Sequence, residues 1–377
     1  DNNLALYSKY SNDCSIKVLN SSFKHNTNSH SGLYLRCANI TVHVGSSLFG
    51  FTPLLIKNIA NMPTRWRKTM ILVQKTIFNG ERIRQCASML AIYPYAAVLN
   101  VTIFDSEFRN QLANCRSGHN YQSVSTVLVE ERQYDVRDTT YIFLRNLIFE
   151  NNYNNWASLS VTAGYMQKTE INVKVEKSIF RNNSVALEVF SRCVVNCKPT
   201  KTPEIILANN TFVENFYELV KADAAAAIVF RFNTRVLSCR FFDNRPGQNP
   251  YVGVVTICEK ALVTFSDCYF ENRQTTEHAN QLFASATRSI FFIGENTFNL
   301  IGLTGSQSVF SRLPTIFINS RILMKKNFKI ICPQGYKLKL LQECKNIKNT
   351  YMCYYINVQC EQCPTKTYTL ERGDFIF

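Results

Sequence analysis

Cys360-Glu361-Gln362-Cys363 is the tightest cysteine pair in the chain, and its spacing suits either half of a zinc site or one corner of a disulfide framework. No second tight pair accompanies it, and five of the fourteen cysteines crowd the last 46 residues as Cys332, Cys344, Cys353, Cys360 and Cys363. The disulfide reading is preferred, and it places the chain in an oxidising, extracellular or cell-surface compartment. Acid–base chemistry has less to draw on. There are 27 acidic residues and 5 histidines in 377, and no two aspartates are adjacent. Gly118-His119-Asn120 has no carboxylate pair one or two repeats before it, so His119 reads as an ordinary loop histidine. No catalytic residue, metal ligand or cofactor site is assigned.

Positive charge is the next resource. Forty-two basic residues against 27 acidic leave a net charge of +15, which favours acidic partners. Arg65-Trp66-Arg67-Lys68 combines guanidinium groups with an indole and is the candidate site for anionic polysaccharide; a solvated loop is the competing reading. Lys325-Lys326-Asn327-Phe328-Lys329 is a second basic cluster. Nucleic acid does not fit the inferred compartment. Arg372-Gly373-Asp374 spells an integrin-type tripeptide, read here as coincidence. Sequons for N-glycosylation occur at Asn20, Asn39, Asn100, Asn182 and Asn209, about as many as chance provides in an Asn-rich chain.

These residues must be positioned by something, and an internal repeat supplies it. A small or polar residue, any residue, Phe, and then a nearby Asn recur, as in Ser21-Ser22-Phe23-Lys24-His25-Asn26 and Ser178-Ile179-Phe180-Arg181-Asn182-Asn183. The Phe residues fall at 23, 49, 78, 108, 149, 180, 212, 241, 270 and 298, at spacings of 26, 29, 30, 41, 31, 32, 29, 29 and 28. A period near 30 with one insertion is a solenoid signature. Segments such as Asn39-Ile40-Thr41-Val42-His43-Val44 alternate polar and apolar residues, which is strand periodicity; Leu219 to Phe230 is the best exception, with helical spacing. Three short strands and tight turns in about 30 residues make one coil of a right-handed parallel β-helix.

The repeat then predicts its own interior. Each Phe points inward and stacks on the Phe of the next coil, and the residue two before it shares that layer. The following Asn marks a corner, where its side chain tolerates a left-handed backbone and bonds to the same amide one coil on. Residues of equal phase on adjacent coils lie about 5 Å apart, within disulfide range. Cys86 with Cys115 and Cys239 with Cys268 are each 29 residues apart and are predicted pairs; for the second, inert stacked thiols are the competing reading. Cys193 and Cys197 are assigned to a small local loop, and Cys14 to a pairing with Cys37 near the N-terminal cap. The 41-residue unit between Phe108 and Phe149 carries an insertion that serves either as a binding loop or as a neutral excursion.

The Phe-x-x-Asn motif of Phe23-Lys24-His25-Asn26 and Phe212-Val213-Glu214-Asn215 resembles the repeat of polymorphic outer-membrane-type β-helix surface proteins, of pectin-lyase-like fold. Their Gly-Gly-Ala partner motif is approximated only by Ser31-Gly32-Leu33-Tyr34-Leu35. Cys360-Glu361-Gln362-Cys363-Pro364 with Tyr368-Thr369-Leu370 and Gly373 resembles the cysteine-rich unit of ephrin-receptor-like and tumour-necrosis-factor-receptor-like modules. Together the resemblances imply a non-catalytic ectodomain.

The expected organisation is all-β: a right-handed parallel β-helix of about ten coils over residues 1–330, then a small disulfide-rich module over 331–377, truncated at its C-terminal end. Both chain ends read as cuts in a longer polypeptide. The expected function is an extracellular structural or adhesion scaffold, partnered by other protein chains of a surface assembly and touching a membrane only through a segment outside this chain. Recognition of anionic glycans is the alternative, and a polysaccharide lyase or hydrolase the second.

Overall fold

The computed structural model describes residues 7–23, 33–50, 52–58, 67–81, 88–93, 98–112, 125–130, 139–153, 157–164, 170–192, 204–216, 225–230, 233–245, 253–257, 263–271, 280–284, 290–299, 306–307, 318–319, 328–332, 336–347, 350–363 and 374–376. Every regular element among them is a β-strand, and the chain is a parallel β-solenoid. It divides into two compact units, Asp1–Ile205 and Ile206–Phe377.

A turn in the first unit has three strands. Lys68–Gln74 forms a long face, Ile77–Asn79 a short face centred on Phe78, and Leu90–Tyr93 a closing face. Each pairs in parallel with its equivalent in the next turn: Val98–Phe104, Glu107–Arg109 and Val127–Glu130. On the long face Thr69, Ile71 and Val73 are buried and Lys68 and Met70 exposed, the period-two alternation that selects strand. The closing face lacks that alternation. Its outward Ala91, Leu128, Ser160 and Glu188 are buried like its inward residues, and the Ser160 hydroxyl donates to Glu188 at 3.3 Å.

Among the described residues six three-strand turns precede Glu204–Ala208, three more begin with it, and an incomplete one follows. The expectation of about ten coils is corrected accordingly. It assigned one coil to each Phe, and the last copy, Phe298, sits in a turn with no closing strand among the described residues.

The Phe positions stack as the repeat requires. In the first unit ring centroids of Phe23, Phe49, Phe78, Phe108, Phe149 and Phe180 follow one another at 4.8 to 5.0 Å. In the second, Phe212, Phe241, Phe270 and Phe298 follow at 4.4 to 5.0 Å. Burying each ring contributes about 1.5–3 kcal/mol.

A mostly polar column runs beside each stack, two residues before the Phe, interrupted in the first unit by Leu147. Ser47, Thr76, Ser106 and Ser178 donate from their hydroxyls to the carbonyl two residues back, at 2.8 to 3.0 Å. The Ser106 hydroxyl also accepts the Thr76 N–H at 3.1 Å. Two asparagine ladders close the other end of the short strand. Asn110, Asn151 and Asn182 adopt positive φ of 51 to 57°, and Asn182 donates to Asn151 Oδ1 at 2.8 Å. In the second ladder, buried Asn152 and Asn244 donate to the carbonyls of Phe108 and Phe212.

The segment with helical spacing proves extended where it is described: Ala225–Phe230 is a strand on the closing face, paired in parallel with Gly253–Ile257. Tyr336–Ile347 and Thr350–Gln362 form a long antiparallel hairpin. Phe328–Ile331 crosses the expected boundary at 330/331, pairing in parallel with Asn296–Asn299 so that Ile330 stands opposite Phe298.

Candidate functional site

The corner before each short strand places the first elements of a site. In the first unit Asn20, Ser46, Lys75, Asp105, Asn146 and Lys177 all adopt φ of 48 to 52°; in the second, Asn209, Ser238, Asp267 and Gly294 adopt 49 to 70°. The chain turns there so that the next residue points inward and the one after it outward. In the second unit the outward column is Thr211, Arg240, Tyr269 and Thr297, with Val213, Phe242, Glu271 and Asn299 beyond the Phe stack.

An open groove of about 870 Å³ lies along this column, lined by Asn209, Arg240, Phe242, Asp267, Tyr269 and Glu295 among others. Phe242 and Tyr269 lie 5.7 Å apart at 47°, giving two partly exposed ring surfaces. The Tyr269 hydroxyl donates to Glu271 Oε2 at 2.5 Å and accepts from Asn299 Nδ2 at 2.8 Å, which fixes the ring. Arg240 and Glu295 are exposed on opposite sides of it in sequence. Rings with cationic and anionic groups beside them suit the faces and hydroxyls of a saccharide.

Asp267 is tied to the corner. Its Oδ1 accepts the Glu295 N–H at 2.9 Å and its Oδ2 the Ser266 hydroxyl at 2.8 Å. Gly294 at φ 70° is required beside it, because a Cβ there would collide with Oδ1. With both oxygens engaged by the corner, the carboxylate acts as a structural clamp.

A second depression, about 480 Å³, lies at the same phase in the first unit, between Asn20, Ser46, Leu48, Lys75 and Ile77. There the outward column is Ser22, Leu48, Ile77, Glu107, Ile148 and Ile179, mainly aliphatic and without arginine or tyrosine. It has no aromatic wall.

Cys268 lines the groove from beneath and explains a correction. Cys239 and Cys268 are buried free thiols, not the expected disulfide. Both occupy the serine column, and each thiol points to the carbonyl two residues back, at 3.5 Å to Leu237 and 3.4 Å to Ser266. The sulfurs thus take the hydroxyl's place. Burial raises the Cys239 pKa to about 12 and pushes Cys268 up as well.

Cys14 and Cys37 form a disulfide with Cα atoms 6.0 Å apart. Cys332 is also disulfide-bonded, whereas Cys363 of the Cys360 pair is a free, half-buried thiol, contrary to its assignment to the disulfide framework. Cys86, Cys115, Cys193 and Cys197 lie outside the described residues, as do Arg65, Trp66 and the 113–124 part of the insertion. Arg67 does not serve the expected charge cluster: it is 2% exposed, and desolvation lowers its pKa. Lys68 is exposed. The groove residues were not singled out from the sequence. Their signal was the change of outward residue, from Ile in Ile148-Phe149 and Ile179-Phe180 to Arg240-Phe241 and Tyr269-Phe270.

No family model matches this chain, and no curated protein and no solved structure matches it either.

Proposed function

We propose that the chain is a non-catalytic structural or adhesion segment of an extracellular or cell-surface assembly, with the solenoid as a rigid spacer between other protein chains. The observation that carries this reading is the double use of the repeats. Stacked Phe rings fill the interior, while hydroxyl, thiol and amide columns satisfy the backbone beside them. A fold that commits its polar side chains to its own backbone is built for stiffness. The Cys14–Cys37 disulfide favours an oxidising compartment. The Phe-x-x-Asn repeat and the Cys360–Cys363 motif add the likeness to β-helix surface proteins and receptor-type modules.

The second reading, recognition of glycans, is favoured by the Phe242–Tyr269 pair and Arg240 in the groove. Catalysis is the least supported, because the Asp267 carboxylate is spent on the corner. One experiment separates the three. Purified protein is passed over immobilised heparin and incubated with polygalacturonate. A scaffold releases no new reducing ends or unsaturated products, and any retention is unchanged by Tyr269→Ala. Retention lost in Tyr269→Ala and Arg240→Ala moves the assignment to glycan recognition. Product release abolished by Asp267→Asn overturns the non-catalytic reading.

A further inference from the structure

The five sequons occupy different hydrogen-bonding environments, and these sort them. Asn182 donates from Nδ2 to Asn151 Oδ1 at 2.8 Å and to the Tyr153 hydroxyl at 3.2 Å, so both amide hydrogens are committed. Asn39 donates to Asp13 Oδ1 at 2.7 Å and accepts the Lys68 N–H at 2.9 Å, bridging three strands. Asn100 is half-buried in mid-strand, flanked in register by Met70 and Tyr141. Asn20 and Asn209 differ from all of these. Each is exposed, each sits three residues before an inward Phe, and each takes the left-handed corner conformation, at φ 50° and 56°. Their backbone N–H groups bond to Gly45 and Leu237, while their side-chain amides make no hydrogen bond among the described residues.

We infer that Asn20 and Asn209 are the N-glycan acceptors of this chain and that Asn39 and Asn182 are not. The inference rests on the extracellular reading for the donor, a lipid diphosphate-linked oligosaccharide. The Asn Nδ2–C1 bond forms as the C1–O bond to the lipid diphosphate breaks, and Nδ2 gives up one proton to the transferring enzyme's base. The product amide keeps one hydrogen. That is sufficient at a free corner amide, whereas Asn182 needs two. Asn209 also lines the groove, so its glycan begins on the groove wall and limits which ligands reach Arg240 and Tyr269.

The test expresses the full chain behind a secretory leader in animal cells, removes glycans enzymatically in heavy-oxygen water and maps the peptides. Labelled aspartate is expected at positions 20 and 209 and not at 39 or 182. Asn20→Gln and Asn209→Gln should each remove one glycan's mass, and Asn182→Gln none. Labelling at 39 or 182 in protein that retains the Cys14–Cys37 disulfide and cooperative unfolding overturns the inference, as does absence of label at 20 and 209. The extracellular reading fails separately, when chain isolated from its own source has Cys14 and Cys37 reduced.

Discussion

Asn152 and Asn183 occupy the same place in adjacent turns, and a single oxygen joins them: Asn183 Oδ1 accepts the Asn152 N–H at 3.1 Å and its Nδ2–H at 3.0 Å. Asn183 Nδ2 in turn donates to the Phe149 carbonyl at 3.0 Å. Asn183→Ala therefore strands buried donors on Asn152 and a buried carbonyl. A loss of about 2–4 kcal/mol is expected from urea unfolding, since each unsatisfied buried group costs roughly 1–3 kcal/mol.

Phe108 has a ring on either side, Phe78 at 4.8 Å and Phe149 at 5.0 Å. Phe108→Ala should cost about 3–5 kcal/mol with an unchanged urea m-value. Phe23 is stacked on one side only among the described residues and is partly exposed, so Phe23→Ala should cost clearly less. Equal losses at both positions would argue against the stack as the source of stability.

Cys239 carries an alkaline signature. In the unfolded chain its thiol ionises near its ordinary value of 9.0, and in the folded chain burial holds it neutral until about 12. Between those values the unfolded state has released a proton that the folded state keeps. Stability from this group is complete below pH 9 and falls as pH rises towards 12. Cys268 is shifted the same way and adds to the slope. The double variant Cys239→Ser, Cys268→Ser should flatten the decline in urea midpoint, because serine keeps the bond to the carbonyl and does not ionise there.

Lys75 holds φ 48° with an exposed side chain. A left-handed backbone costs a non-glycine L-residue roughly 1–2 kcal/mol, and asparagine tolerates it better. Lys75→Asn should raise stability by about 0.5–1 kcal/mol, read as a higher melting temperature.

Burial separates the two described members of the basic cluster. Lys68→Glu should lower the salt needed to elute the protein from immobilised heparin. Arg67→Gln should leave elution unchanged and lower the melting temperature, because the guanidinium is buried.

The short face was readable in the sequence because its constraint is absolute. An aromatic at a fixed phase either stacks or fails to fit, so Phe78, Phe108 and Phe149 announced both period and direction. The closing face was harder. Ala225–Phe230 reads as helix by spacing, yet a strand buried on both sides needs no alternation, so its pattern is lost in a run of apolar residues. The left-handed corner was hidden for another reason. Lys75 and Lys177 have no preference for positive φ, and the turns on either side impose it. The thiol column was half visible: the phase of Cys239 and Cys268 was correct, but the inward direction sets each sulfur against backbone carbonyls, at Leu237 and Ser266 in its own turn and at Leu207 and Val236 in the preceding one. The groove depends on outward residues, which the fold leaves unconstrained, and no rule of periodicity could rank Arg240 and Tyr269 above Ile148 and Ile179.

Phe108 and Phe149 stand in register although 41 residues separate them, with rings 5.0 Å apart against 4.8 Å for Phe78 and Phe108, 30 residues apart. Turn height is thus decoupled from chain length: strands measure out the rise, and the segments between them are not metered. Residues 113–124 fall within that longer interval. The longer interval therefore adds chain without adding height, and the ladder keeps its pitch across it.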